Sequence, residues 1–335
     1  MAKVVTFGEV MMRLSTPGHG RFIQATNLNI TYGGGEANMA VSLAQLGIPS
    51  CHVTVFPDND LGRAATASFK KLGVEMSVKY EGDRIGLYFL ETGAASRASR
   101  IVYDRYNSAF SLLDPAWFEW KKLFEEAEYF IFTGITPAIS QSAANACLEA
   151  ATMANRLGLQ VYGDINYRRN LWKYGKSVQE IMPALVKQCS VIVCNEGDAA
   201  DIFSIYPIEG EENGFISIAR QVMLQYPNIK KIISSRRNSL SASQNSLTGM
   251  LWDGSNYFET NDFTIDRIVD RIGSGDAFVA GYIFGLYHYQ EEQKALAFAT
   301  SAAVLKHTIE GDSSLATFAE IETVMNGDLS AKLLR

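Results

Sequence analysis

The sequence predicts an α/β protein whose mainly parallel central sheet is covered by helices on both faces. Short runs of β-branched and aromatic residues recur along the chain and are continuously apolar, which is typical of strands buried on both faces. Between most of them lie helical patterns that end in Gly or Pro, such as residues 36–47 and 141–158. Strands that alternate with helices indicate parallel pairing, since each helix returns the chain to the same edge of the sheet. The strand-like runs are KVVTFGE, CHVTVF, AEYFIFTG, LQVYGDI, CSVIVC and KKIISS.

The composition is that of an ordinary globular protein. The chain has 335 residues, of which 47% are hydrophobic and 20% charged, and no repeat, low-complexity tract or linker divides it. We therefore expect one domain over residues 1–335. The net charge of −6 argues against binding to nucleic acid or to an anionic membrane. A small anionic substrate needs only a few local arginines and stays possible.

The sequence predicts a cytoplasmic protein. No apolar stretch reaches the roughly 18 residues of a membrane span, and Gly8 and Glu9 interrupt the N-terminal apolar run, which therefore does not resemble a signal peptide. The cysteines have neither metal-ligand spacing nor disulfide density, so we expect unpaired thiols in a reducing compartment. They are Cys51, Cys147, Cys189 and Cys194.

Two stretches interrupt the alternation of strands and helices. Residues 13–32 and about 84–110 alternate apolar with polar residues and contain no helical pattern, and Gly93–Ser99 has the composition of a hairpin turn. A half-polar group of strands inserted into an α/β sheet is typical of a flap over a site. We therefore predict a small β-sheet lid, with a plain surface hairpin as the alternative.

Polar and glycine-rich segments follow several of the predicted strands. Ligands of open parallel sheets bind beyond the carboxyl ends of the strands, so we expect these segments to converge on one crevice. They are TYGGGEAN, TGITP, GDINYRR, CNEGD and SSRR.

The segment VDRIGSGDAFVAG, residues 269–281, has the features of an anion site at a helix start. Glycines let the backbone approach an anion closely, and a helix N-terminus offers unpaired N–H groups and a favourable dipole. Gly273, Ser274 and Gly275 are thus a candidate cradle for a phosphoryl group. Asp276 could merely cap the helix. A cap does not explain the glycines, whereas a carboxylate beside an anion cradle can take a proton from an attacking hydroxyl.

Other phosphate and catalytic motifs are absent. YGKSV contains the Gly-Lys-Ser of a Walker A loop, but the earlier glycine would fall at Asn170. TYGGGEAN lacks the third glycine of a dinucleotide fingerprint, where Asn38 stands. Neither HExxH nor GxSxG occurs, which disfavours a zinc protease or a serine hydrolase.

Two motifs together resemble the signatures of the ribokinase-like (PfkB) carbohydrate kinases. YGGGEANMAVSLAQLG, residues 32–47, has the form G-G-x-x-x-N-x-A with a closing L-G. VDRIGSGDAFVAG is similar to D-T-x-G-A-G-D-x-F-x-x-G, with Arg271 in place of the threonine and Ser274 in place of the alanine. The resemblance covers nearly the whole chain and implies a ribokinase-like three-layer fold in which the flap is a β-lid.

The resemblance implies an ATP-dependent, Mg²⁺-assisted kinase. Asp276 carries over as the catalytic base, and the stretch Gly273-Ser274-Gly275 as the anion hole. Asn195 and Glu196 match a family N-E element that helps to hold Mg²⁺ and phosphate, mostly through water; the alternative is a simple helix start after a strand. Arg271 puts in doubt any role of the threonine that it replaces.

Within that family the chain is most similar to the 2-keto-3-deoxygluconate kinases, above all in GDINYRRNLW, residues 163–172. A sugar acid carries a carboxylate, which arginine binds with a planar fork. The match implies that Gly34, Tyr88, Tyr103, Arg105 and Arg168 contact the substrate. Asp312 falls where the group has an aspartate that binds the far end of the substrate, and its alternative is an N-cap of a helix beginning near Leu315.

The nucleotide is expected across residues 234–246 and the helix around residues 300–307. Asn166, Asn195, Arg236, Gly273 and Gly275 are the expected nucleotide contacts, and Arg237 is a further phosphate neighbour. We therefore expect ATP-dependent phosphorylation of 2-keto-3-deoxygluconate. The alternatives are a fructokinase- or ribokinase-type kinase of a neutral sugar, a non-catalytic sugar or nucleotide sensor, and, least favoured, a dehydrogenase. The half-apolar lid also predicts a homodimer formed through it.

Overall fold

The computed structural model describes residues 3–210, 213–239, 241 and 244–327. The strands are β1 Lys3–Phe7, β2 Met11–Ser15, β3 Asn29–Gly33, β4 Ser50–Phe56, β5 Glu75–Tyr80, β6 Gly86–Glu91, β7 Arg100–Asp104, β8 Ala127–Thr133, β9 Gln160–Asp164, β10 Val191–Val193, β11 Lys231–Ser239, β12 Asn245–Trp252, β13 Tyr257–Glu259 and β14 Phe263–Ile265. The helices are α1 Gly35–Gln45, α2 Asp60–Lys71, α3 Trp120–Leu123, α4 Thr136–Ile139, α5 Gln141–Arg156, α6 Val178–Val186, α7 Glu196–Asp198, α8 Gly214–Gln225, α9 Ser274–Tyr289, α10 Glu292–Lys306 and α11 Phe318–Met325.

The main sheet of the described residues has ten strands in the order β13-β12-β11-β10-β9-β8-β1-β4-β5, with β14 beside β12. From β11 to β5 every neighbouring pair is parallel, as the alternation of strands and helices predicts. Parallel strands end at one edge of the sheet, so the loops that follow β1, β8, β9 and β10 lie side by side.

Apolar residues on both faces of the strands explain why helices cover both sides. In β1, Val5 packs in a core cluster with residues of α5, α6 and α8, whereas Val4 packs in a second cluster with residues of α9 and α10. Successive side chains of a strand point to opposite faces, and both faces of β1 are therefore buried. The fold is the predicted three-layer arrangement, with the sheet between two layers of helices.

A separate four-stranded sheet has the order β3-β2-β6-β7. It confirms that a small sheet interrupts the alternation of strands and helices. The turn of the β6–β7 hairpin lies within the predicted Gly93–Ser99 segment, where the backbone N–H of Gly93 donates to Ser99 Oγ. The first strand of this sheet begins at Met11 rather than at residue 13.

The antiparallel edge of the main sheet was not predicted. Strands β12, β13 and β14 extend the parallel sheet through antiparallel pairs. As a consequence, SSRR at residues 234–237 lies inside β11 and does not follow its end. The four cysteines are buried and unpaired, as expected. Within the described residues, no helix combines the length and the apolar character needed to cross a membrane.

Candidate active site

Helix α9 begins with the glycine-rich segment. It starts at Ser274, within the segment where the sequence predicts a helix start. Gly273 precedes it with a φ of 84°, and a Cβ there would lie 1.7 Å from the backbone oxygen of Asp312. Both the left-handed backbone conformation and the lack of room for a Cβ require glycine at this position. A Cβ at Gly275 would have no neighbour within 4 Å, so open space adjoins the first turn of α9, whose N–H groups have no partners within the helix.

Asp276 lies in that first turn, and its side chain is 8% exposed. Burial raises the pKa of Asp276 to about 7, and the negative charges of Glu36 and Asp312 act in the same direction. The hydrogen bond that Asn38 Nδ2 donates to Asp276 Oδ2 over 2.7 Å, and the charge of Arg168, act to lower this pKa. No side chain caps α9, so the capping alternative for Asp276 is not supported. A carboxyl with this pKa can accept a proton near neutral pH.

Three consecutive glycines at the start of α1 bring different parts of the site together. A Cβ at Gly33 would lie 1.9 Å from Asp312 Oδ2, and one at Gly34 would lie 2.2 Å from the backbone oxygen of Glu9. At Gly35 it would lie 3.5 Å from Asp276 Oδ1. The start of α1 can therefore approach Asp312 and Glu9 only because Gly33 and Gly34 have no side chain.

The two neighbouring arginines of β11 have different partners. Arg237 donates to Ser274 Oγ over 2.6 Å, which brings it to the start of α9. Arg236 instead forms an ion pair with Glu259 of β13 over 2.6 Å. Adjacent side chains of a strand point to opposite faces, so the two cannot both reach the glycine-rich turn. The predicted contact Arg236 lies away from this turn, and Arg237 lies beside it.

The loops after β9 and β10 bring further predicted residues to the same edge. Arg168 is exposed and acts electrostatically on Asp276. Asn166 has a φ of 36°, a left-handed conformation unusual for a residue other than glycine, and its Nδ2 donates to Asp164. Asn195 caps the short α7 by accepting from the N–H of Asp198, which agrees with the helix-start alternative.

Glu196, at the first position of α7, is exposed. No cluster of three or more His, Cys, Asp or Glu side chains that could hold a metal occurs in the described parts of the chain. An exposed carboxylate at the start of α7, beyond the end of β10, fits a metal bound mainly by phosphate oxygens and water, since Mg²⁺ keeps several waters in such sites.

Asp312 lies under the small sheet, in a buried cluster of charged and polar groups. Tyr88 donates to it over 2.6 Å, and Arg13 Nη1 donates to it over 2.8 Å. Nη2 of Arg13 donates to Asp270 over 2.5 Å. The alternative that Asp312 caps a helix near Leu315 is wrong: α11 begins at Phe318 and is capped by Thr317.

Arg105 is buried where β7 ends and is held by Glu9. Its Nε and Nη2 both donate to Glu9 Oε2, the first over 2.8 Å, and Ser108 Oγ donates to the other oxygen of Glu9. Nη1 has no hydrogen-bond partner among the described residues, and it keeps some exposed surface although the residue is only 8% exposed. Tyr103 is half exposed, with its ring 6.1 Å from that of Tyr88.

The sequence did not single out several residues of this site. Asn38 belongs to the first signature motif, and this membership was the only indication in the sequence that it lies in the site beside Asp276. Glu9 is 96 positions from its partner Arg105. Arg13 is 257 and 299 positions from its own two partners. Pairings over such separations have no local pattern in a single chain.

Comparison with known proteins identifies the family of the chain. A sequence profile described as pfkB family carbohydrate kinase matches residues 1–317. A 2-dehydro-3-deoxygluconokinase from Thermotoga maritima, of known crystal structure, is 39% identical with a TM-score of 0.92, and the alignment covers 98% of this chain and 100% of the other. A PfkB family carbohydrate kinase from Listeria grayi is 32% identical with a TM-score of 0.91, over 97% and 99% of the two chains.

A further relative is the 2-dehydro-3-deoxygalactonokinase of Haloferax volcanii, which is 30% identical over 327 residues, or 97% of each chain. The match with all these proteins extends over nearly the full length of the sequence. It includes both signatures, which the fold joins where Asn38 donates to Asp276. The chain therefore belongs to the PfkB family and is a carbohydrate kinase.

Proposed function

We propose that this kinase transfers the γ-phosphoryl group of ATP to the terminal hydroxyl of 2-keto-3-deoxygluconate, also called 2-dehydro-3-deoxygluconate, giving the 6-phosphate. The observation that carries the proposal is the position of Asp276. It is a buried carboxyl with a pKa of about 7 at a helix N-terminus that opens to free space beside Gly275. This combination supplies a proton acceptor and an anion site in one helical turn.

In the proposed mechanism, Asp276 accepts the proton of the substrate hydroxyl as its oxygen attacks the γ-phosphorus. The bond from that phosphorus to the bridging oxygen breaks, and ADP leaves. The backbone amides of the Gly273–Gly275 turn hydrogen-bond the oxygens of the transferring group, and the charge of Arg237 beside Ser274 adds to this stabilisation. Mg²⁺, bound with ATP and held through water by Glu196, would neutralise negative charge on the phosphates. The lid excludes water that would otherwise accept the phosphoryl group.

The substrate class is inferred from Arg105. Glu9 holds the guanidinium through Nε and Nη2, which leaves Nη1 to donate to a substrate carboxylate. Tyr88 and Tyr103 lie opposite each other on β6 and β7 and would line the sugar, with Gly34 behind it. Asp312 and Arg168 complete the proposed contacts. The names of the Thermotoga maritima and Haloferax volcanii relatives, both kinases of 2-dehydro-3-deoxy sugar acids, support an acid substrate.

For the nucleotide we propose ATP with Mg²⁺, contacted by the Gly273–Gly275 turn, Asn166 and Asn195. Glu196 would hold the metal through water. Arg237 is the better candidate than Arg236 for a phosphate contact, because it reaches Ser274. These assignments rest on the family resemblance and on the common edge of the sheet at which the segments lie.

We further propose that the kinase is a homodimer formed through the lid. Ile30, Leu14, Phe89 and Val102 form one row across the four strands. The row lies on the face opposite Arg13 and Tyr88, since the two sets alternate along β2 and β6. Ile30 is 59% exposed and Val102 55%, which leaves apolar surface for a second lid.

The direct test compares turnover on 2-keto-3-deoxygluconate, its galacto epimer, gluconate, fructose and ribose with MgATP. We expect the highest kcat/KM on one of the two keto acids. A preference for fructose or ribose would favour the neutral-sugar alternative and remove the carboxylate role from Arg105. A protein that binds these sugars and ATP without turnover would be a sensor and not the proposed kinase.

Substitution of Arg105 tests the substrate argument, provided that Glu9 is not left as an unpaired buried charge. We therefore compare Glu9→Gln with the double variant Glu9→Gln/Arg105→Gln. The double variant should lose about 100-fold or more in kcat/KM on the keto acid relative to Glu9→Gln, a loss of about 3 kcal/mol. Its residual rate on a neutral sugar should change little. Arg97→Gln, which removes a lid arginine paired with Glu91, is the control. Equal losses on both substrates would contradict the carboxylate contact.

A further inference from the structure

Lys306 is a buried lysine for which the proposed mechanism has no role. It is the last residue of α10 and has no exposed surface. Its Nζ donates to two backbone oxygens, that of Ile309 over 2.8 Å and that of Asp270 over 3.5 Å. No carboxylate of the described residues lies within ion-pair distance of Nζ, although a fully buried lysine is rare without one.

The position of this ammonium group relates it to the anion hole. Asp270 begins the segment that leads into α9, and a Cβ placed on Gly273 would lie 3.4 Å from Lys306 Cε. The N–H groups of Val269 and Asp270 both donate to the backbone oxygen of His307, over 2.8 and 3.2 Å. The end of α10 therefore lies directly behind the turn whose amides face the open space at the start of α9.

Burial lowers the pKa of Lys306, and the positive charge of Arg13 acts in the same direction. The carboxylates of Asp270, Asp312 and Asp276 oppose this lowering and stabilise the ammonium form. The interaction is reciprocal, so a positive charge at Lys306 favours the ionised form of Asp276. It also adds to the positive end of the α9 dipole.

We propose that Lys306 is a positioning residue for phosphoryl transfer, whose ammonium group supplies a fixed positive charge behind the Gly273–Gly275 turn and holds that turn through the carbonyl of Asp270. The inference rests on the proposed role of this turn as the anion hole. Preorganised charge that does not move during reaction stabilises the transition state more than the ground state. Lys306 should therefore affect kcat more than the KM for the sugar.

The first test is Lys306→Met, which keeps the length of the side chain and removes the charge. We expect kcat to fall at least 30-fold while the KM for the sugar changes less than threefold. The acid limb of the pH profile should move to higher pH, because Asp276 loses a neighbouring positive charge. Affinity for ADP with aluminium fluoride, a mimic of the transferring group, should fall while affinity for ADP alone stays the same. Lys294→Met, on the exposed side of the same helix, is the matched control and should change none of these.

A rescue experiment decides the matter if the methionine variant does not fold. Lys306→Ala leaves a space lined by the carbonyl oxygens of Asp270 and Ile309, which a small cation can enter. Ammonium chloride should raise the turnover and the melting temperature of this variant, whereas tetramethylammonium chloride should not. Neither salt should activate the unchanged protein in this way, because its lysine fills the space.

Failure of the inference is distinct from failure of the proposed function. A Lys306→Met protein with normal kcat and an unmoved acid limb, or a Lys306→Ala protein that ammonium does not restore, would overturn the role of Lys306 alone. If the unchanged protein prefers a neutral sugar, the proposed substrate fails, and the same Lys306 experiments are run with that sugar.

Discussion

At Asp276, the demands of folding and of catalysis oppose each other. The pKa of this carboxyl rises from 3.8 to about 7, with burial as the main cause. A raised pKa means that the folded state disfavours the ionised form. The resulting cost is absent below about pH 4 and fully present above about pH 7, where a shift of this size corresponds to about 4 kcal/mol at most.

Asp276→Asn should therefore stabilise the fold while it removes activity. We expect a higher melting temperature than that of the unchanged protein at pH 8 and no such difference near pH 4, measured by calorimetry. The loss of the proton acceptor should lower kcat by at least about 100-fold. Full turnover in this variant would refute the role of Asp276 as base, and a lower melting temperature at pH 8 would refute the stability argument.

The hydrogen bond from Asn38 should set the pH dependence of turnover. Because the proposed base, Asp276, would act in its ionised form, kcat/KM should rise as pH increases through about 7. Asn38→Ala removes a donor that lowers this pKa, so its acid limb should lie at higher pH. Ser313→Ala, which touches only the oxygen of the Asn38 side chain over 3.5 Å, serves as the control. An identical limb in the Asn38 variant would show that another group titrates.

In the first turn of α9, one substitution can remove activity without weakening the packing of the helix. A Cβ at Gly275 meets no atom within 4 Å, and alanine is the better helix former by about 1 kcal/mol. Gly275→Ala should therefore fold at least as stably as the unchanged protein, yet lose most of its turnover because the methyl group occupies the space proposed for the phosphoryl group. Thermal unfolding and steady-state kinetics measured on one preparation test both statements. Normal turnover would place the phosphoryl group elsewhere.

The elements differ in how well the sequence predicts them. The six predicted strands and the long helices α1 and α5 have strong local patterns, and the structure confirms them. The parallel strand β5, at the edge of the sheet, was not predicted. The antiparallel strands β12 to β14 were not predicted. β13 and β14 have only three residues each, and how well a residue fits a strand depends on its cross-strand neighbours more than on its own propensity. The same holds for the two arginines of β11, whose faces depend on the register with β12.

For the whole molecule, the row of apolar side chains on the outer face of the small sheet, which includes the exposed Ile30 and Val102, predicts a dimer in solution. Val102→Glu places a charge on the outer face of the small sheet, away from Arg13 and Tyr88, and should yield a folded monomer in sedimentation equilibrium. Leu224→Glu, at an exposed leucine of α8, should leave the dimer intact. A monomeric unchanged protein, or a Val102→Glu protein that remains dimeric, would contradict the proposed interface.

The sequence by itself determined the layered α/β fold, the interrupting small sheet and the family, because apolar periodicity and the glycine spacing of the two signatures are local properties of the chain. Only the tertiary structure decided which of Arg236 and Arg237 reaches Ser274, that Glu9 holds Arg105, and that Arg13 joins Asp270 to Asp312. The raised pKa of Asp276 was likewise decided by the tertiary structure. Burial and charge pairing depend on residues far apart in the chain, and a single sequence does not state which of them meet.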